Sequence, residues 1–167
     1  MTTSVQEQHK AVVLRFMAEV QNARRYDLIP ELCRPDQVLD HPELGGPVTG
    51  LAILEEKIGD MVGAFPDMAF HAVDVVAEGD QVAVRFTLTG VQTGWLGPVK
   101  PSGKPILQSG MAIYDMRDGK IGEVRIREDL LQMLDQLGAI PDRPRLLYWM
   151  KRTGLLKVLQ AIGKVPK

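Results

Sequence analysis

The sequence predicts one α+β domain followed by a short helical extension, and two observations carry this. Apolar residues recur at helical spacing through three segments before residue 66, and from Met68 the period changes to the alternation of half-buried strands. Helices that precede a run of hairpin-linked strands give an α+β order rather than the strand–helix alternation of a parallel sheet. The 167 residues, 45% apolar and 25% charged, suit one domain with a core of its own.

The elements follow in order. Residues 5–23 place Val5, Val12, Phe16, Met17 and Val20 near helical spacing and predict one helix. Asp27 is positioned to cap a short helix ending before Pro35. Residues 37–41 fit a short strand, and Pro42 through Pro47 a loop. Thr49 is positioned to cap a third helix with a Leu51, Leu54, Ile58, Met61, Val62 and Phe65 stripe, stopped by Pro66-Asp67. Strands are expected at 68–77 and 81–90 around a Glu78-Gly79-Asp80 turn; in the second, Val82, Val84, Phe86 and Leu88 share a face. A Gly/Pro-rich loop at 94–105 leads into a strand over about 106–117, and Asp118-Gly119 is a hairpin signal into a strand at 120–128. Asp129 then precedes the apolar run LLQML.

Charge divides the chain. Residues 1–142 hold thirteen Lys/Arg against twenty-one Asp/Glu, whereas residues 143–167 hold seven basic residues and no acid. The expected organisation is therefore a domain over 1–142 and a basic amphipathic helical extension over 143–167. In that extension Leu146, Leu147, Met150, Leu155, Val158, Leu159 and Ile162 give an apolar face. Docking on the acidic body or on a dimer partner is the favoured role, ahead of a lid, membrane contact or nucleic-acid binding. Nucleic acid is not an expected partner. The single cysteine, Cys33, the lack of an apolar leader and the lack of any run near the roughly 18 apolar residues of a span point to the cytoplasm. Three dispersed histidines make no metal-ligand spacing, and nucleotide-binding glycine loops, GxSxG and zinc-finger patterns are absent. Neither a metal nor an organic cofactor is expected.

A string of short motifs adds to this. His41-Pro42, Phe65-Pro66-Asp67, Gly79-Asp80 ahead of VAVRFTLTG, Thr93-Gly94, Leu96-Gly97 and Pro101-Ser102-Gly103-Lys104 come first. Asp118-Gly119-Lys120-Ile121 and Asp129 with Gln136-Leu137-Gly138 complete it. Together, over about residues 10–141, they resemble the SnoaL-like polyketide (ester) cyclase family of the NTF2-like superfamily. The resemblance implies a cone of N-terminal helices on a curved, mainly antiparallel sheet enclosing one pocket, and a homodimer. It implies a cofactor-independent cyclase acting on a polyketide-like or aromatic intermediate, with Asp129 as general acid/base and His41 near the pocket. The sequence departs from the family pattern at Gln92, where HTG is common, at Arg125, where Trp is usual, and at Asp115, where Arg is frequent. Epoxide opening or isomerisation, and a non-catalytic ligand-binding or assembly role, are the alternatives on the same fold.

The chemistry sets the requirements. Taking a proton α to a carbonyl needs a base within hydrogen-bond reach, and a free Asp, titrating near about 4, needs partial desolvation to serve. The enolate then needs a donor, for which His41, His71, Gln92, Gln108 and Tyr114 are candidates. Asp129 also reads as a helix N-cap. Regular strand parity places Glu123, Arg125, Arg127 and Asp129 on one side and Val124, Ile126 and Glu128 on the other. A pocket-facing Asp129 thus brings Arg125 and Arg127 with it, suited to an anionic substrate group. The alternative is that a bulge shifts the register or that the arginines pair at the sheet surface. Trp95, in the glycine-rich loop, is placed to cover a planar ligand or to pack locally.

Overall fold

The computed structural model describes residues 4–140, 148 and 151–154. The predicted extension at 143–167 otherwise lies outside the described residues. Helix α1 (Val5–Arg15) starts at Ser4, whose hydroxyl accepts from the Glu7 amide at 3.2 Å. It does not run on as one α-helix to residue 23: Phe16–Asn22 is a π-helical segment, closed by an Ala23 amide that reaches back five residues to the Ala18 carbonyl. Arg24 then adopts φ 62°, an uncommon left-handed conformation for a residue with a Cβ. Its guanidinium holds the turn, donating to the carbonyls of Gln21, Asn22 and, across to the sheet, Met68.

A 3-10 turn (Tyr26–Leu28) that includes Asp27 leads into the one-turn helix α2 (Ile29–Leu32). Strand β1 (Cys33–Asp40) begins four residues before the predicted start, because its register is irregular between Cys33 and Val38 and so accommodates Pro35. Thr49 belongs to the two-residue strand β2 (Val48–Thr49) and caps nothing. Helix α3 (Ala52–Ala64) starts without a side-chain cap. Strands β3 (Ala69–Glu78), β4 (Gln81–Val91), β5 (Pro105–Arg117) and β6 (Lys120–Glu128) follow, then helix α4 (Leu130–Leu137).

The six strands form one mixed sheet in the order β2-β1-β6-β5-β4-β3, antiparallel except where β1 runs parallel to β6. Alternation divides its two faces. On the inner face Val82, Val84, Phe86 and Leu88 of β4 and Ile106, Ala112, Tyr114 and Met116 of β5 are buried against Val13, Phe16, Met17 and Val20 of the first helix. Helix α4 is fastened to β5 by Gln136, whose carboxamide accepts from the Leu107 amide at 2.8 Å and donates to the Leu107 carbonyl at 2.9 Å. Gly138, at φ 73°, ends that helix in the left-handed conformation. This gives the Gln-Leu-Gly motif a local structural cause.

Candidate active site

The inner sheet face, the π-helical segment, α3, α4 and the 95–99 loop enclose a cavity of about 540 Å³. Its walls are largely apolar: Phe86 and Leu88 of β4, Val124 and Ile126 of β6, and Ile58 and Met61 of α3 all face it. The volume lies within the roughly 300–1,000 Å³ common for small-molecule pockets. Gly110 shapes the floor. A Cβ there would stand 2.4 Å from the Phe86 ring, so only glycine lets that ring lie across β5, opposite Glu128 in register.

Set into this wall is one hydrogen-bonded pair of titratable groups with little exposure. His41 Nε2 lies 3.1 Å from Glu128 Oε1, with the side chains 12% and 15% exposed. The backbone brings them together because β1 and β6 are parallel neighbours, so His41, just past the end of β1, emerges beside the end of β6. His41 Nδ1 accepts from the Glu43 amide at 3.3 Å, capping the 3-10 turn Pro42–Leu44. An acceptor at Nδ1 carries no proton, so the neutral ring holds its hydrogen on Nε2 and donates it to the Glu128 carboxylate. Glu43, also on the cavity lining, has its Oε2 4.0 Å from Nδ1. A second pair on the lining, Lys57–Asp60, is 3.3 Å apart, but Asp60 is 61% exposed and the pair marks the rim.

The structure separates the other sequence candidates. Regular parity from Val124 to Glu128 holds, but the cavity side is that of Val124, Ile126 and Glu128. Arg125, Arg127 and Asp129 do not line the cavity, correcting the expectation of a pocket-facing group. Arg125 bonds Asp115 at 2.5 Å on the outer face, and Arg127 bonds Asp40 at 2.9 Å. Asp129 is exposed and caps α4, accepting from the Gln132 amide at 2.9 Å. His71 is exposed on the outer face of β3, 3.5 Å from the Thr89 hydroxyl.

Gln92 is fully buried but is an anchor for the 93–104 loop. Its amide nitrogen donates to the Val99 carbonyl at 3.4 Å, and its amide oxygen accepts from Ser102 at 3.1 Å. That loop places Trp95, 59% exposed, over the cavity mouth. Tyr114 lines the cavity, edge-on to Phe16 at 6.5 Å between ring centroids. Burial, with a smaller contribution from Cys33, raises its hydroxyl pKa, so it stays a neutral phenol. Gln108, on the inner face of β5, is fully buried and has no partner for either end of its carboxamide among the described residues. It is not among the groups facing the cavity. Among the described residues no three His, Cys, Asp or Glu side chains group closely enough to hold a metal ion, and no helix is long and apolar enough to cross a membrane.

Glu128 is the residue that the sequence reading passed over. The signal was present: a carboxylate completes the apolar alternation Val124–Ile126, and an acid on an otherwise core-facing row is rarely there for solvation.

A cone of helices over a mixed six-stranded sheet, with a carboxylate–imidazole pair in an apolar cavity, defines an NTF2-like small-molecule pocket. The chain belongs to the SnoaL-like polyketide cyclase family, whose model matches residues 11–137. Solved structures agree. A SnoaL-like protein from Jannaschia sp. CCS1 superposes with a TM-score of 0.74 at 26% identity, covering 84% of this chain and 99% of the other. IdmH from Streptomyces antibioticus, a candidate polyketide cyclase, gives 0.71 at 27% identity, covering 78% and 99%. AclR from Streptomyces galilaeus, a candidate hydroxylase, gives 0.73 at 26% identity, covering 86% and 93%. No curated protein matches the chain.

Proposed function

We propose that this protein is a cofactor-independent cyclase of a polyketide-like or aromatic intermediate, working by general acid/base chemistry with Glu128 as base and His41 as its partner. The observation that carries the reading is the 3.1 Å His41–Glu128 bond set in a mostly apolar cavity of about 540 Å³. Glu128 takes a proton α to a substrate carbonyl, and the His41 ring, donating its Nε2 hydrogen, holds the carboxylate in position for the transfer. The enolate closes a ring by attacking a second carbonyl of the same molecule, and the proton returns to the new alkoxide. Tyr114, a neutral phenol on the cavity lining, is the candidate donor for the developing oxyanion. The apolar walls hold an extended chain folded and exclude water from the enolate.

Glu128→Gln is expected to lower kcat on β-dicarbonyl polyketide mimics by about 10²- to 10⁴-fold with binding retained. Undiminished turnover would remove the pair from the mechanism. The assay panel includes an epoxide of similar size, because the same pair in another geometry suits ring opening, and AclR carries a different name on this fold.

We also infer a homodimer through the outer sheet face. There Val76, Ala83 and Ile113 form one row across β3, β4 and β5, flanked by exposed Leu107 and Met111. Light scattering on Ile113→Glu tests it: a monomer is expected, and an unchanged mass would exclude this face.

A further inference from the structure

The cavity has a second polar group, which the chemistry above does not use. Gln21 lies on the cavity wall, is 8% exposed, and its amide oxygen has no hydrogen-bond partner among the described residues. Everything around it is fixed. The neighbouring Asn22 side chain clamps the backbone of Phe70, accepting from its amide at 2.8 Å and donating to its carbonyl at 2.9 Å. Arg24 ties the Gln21 and Asn22 carbonyls to Met68. The π-helical turn that carries Gln21 is therefore bolted to the start of β3, while the Gln21 amide oxygen is left unpartnered among the described residues. An amide oxygen desolvated at the edge of an apolar cavity calls for a partner that the described residues do not supply.

Position says what that partner is. Gln21 stands by β3, whereas the His41–Glu128 pair stands by β1 and β6. In the sheet order β4 and β5 lie between, so Phe70, which Asn22 clamps, and Glu128 are three strand spacings of about 4.8 Å apart, roughly 14 Å measured along the sheet. They stand at nearly the same height: Glu128 shares an inner row with Gly110, Phe86 and Ala72, and Phe70 begins the next row with Leu88 and Gln108. Gln21 and the His41–Glu128 pair thus line one cavity with apolar walls between them. A hydroxyl both donates and accepts, so a carboxamide satisfies it from either end.

We propose that Gln21 sets substrate orientation and specificity: it binds a hydroxyl at the far end of an elongated, otherwise apolar molecule whose acidic C–H lies against His41–Glu128. The position of that C–H rests on the acid/base reading above; binding of the hydroxyl by Gln21 does not.

The test uses two stable probes, 6-hydroxy-2-acetylnaphthalene and 2-acetylnaphthalene. Both carry a ketone with acidic methyl protons at one end, and only the first has a hydroxyl at the other. Fluorescence titration gives Kd, and NMR follows deuterium exchange at the methyl group. Wild type is expected to bind the hydroxylated probe about 10- to 100-fold more tightly. Gln21→Leu is expected to abolish that preference while binding 2-acetylnaphthalene as before, and Gln21→Glu, which still accepts a hydroxyl proton, to restore it. Equal binding of the probes by wild type, binding of neither, or a preference that survives Gln21→Leu overturns the proposal. Glu128→Gln separates the two ideas. A kept preference with lost exchange supports both; a kept preference with unchanged exchange upholds Gln21 as the hydroxyl site and removes the base.

Discussion

The two sides of β6 differ by one residue in position and by everything in environment. Outward, Arg125 and Arg127 are matched by Asp115 and Asp40, and just past the strand Asp129 is spent on a helix cap. Each outer charge has a structural partner and lies at or near water. Inward, Val124 and Ile126 build a wall, and Glu128 stands in it with only an imidazole beside it. Charge alone therefore does not identify a working group on this strand. What distinguishes Glu128 is a carboxylate kept largely from water, with an imidazole donor beside it rather than a guanidinium.

Substitutions along the strand can break or sharpen this contrast. The largest effect belongs to Glu128→Gln, with the kcat loss given above. His41→Phe keeps the ring's bulk but removes the donor and the 3-10 cap. We expect it to lower kcat by about 10- to 100-fold, with KM changed far less, as steady-state kinetics would show. Asp129→Ala is expected to leave turnover within about twofold and to cost about 1 kcal/mol of stability through the lost cap, read from urea midpoints. Asp129→Asn, which still caps, should lose less. The smallest effects are expected from Arg125→Ala and Arg127→Ala: substrate affinity unchanged, and about 0–1 kcal/mol of stability each, since Arg127 is well exposed and Arg125 partly so. A large affinity loss in either arginine variant would reverse the assignment of the faces.

Much of the scaffold was legible in the sequence because it rests on local signals. The Glu78-Gly79-Asp80 and Asp118-Gly119 turns and the alternation around them locate β3 to β6 to within a residue or two. Parity also divided β6 into its two rows. Which row faces inward was carried by the apolar pair Val124 and Ile126, and the resemblance, which singles out Asp129, pulled the reading to the other side. The π-helical turn left no mark. One extra residue in a helical turn changes no residue type, so nothing in the pattern announced that Gln21 would meet the cavity. Gln92 was a candidate enolate donor at the position where the family commonly reads the histidine of HTG. Its burial among loop carbonyls and amides depends on a fold-back that propensities do not encode.

His41 and Glu128 are 87 positions apart in the chain, and they meet only where β1 lies parallel to β6. No hairpin or single helix can assemble that contact. It forms only when the N-terminal third has wrapped around to dock on a completed meander, which makes it a contact of high sequence separation, typical of those gained late in folding. Recovery of proton-exchange activity after dilution from denaturant would then lag the return of β-sheet signal. The proposed proton-exchange chemistry would act as a clock for the closing of the fold's last seam.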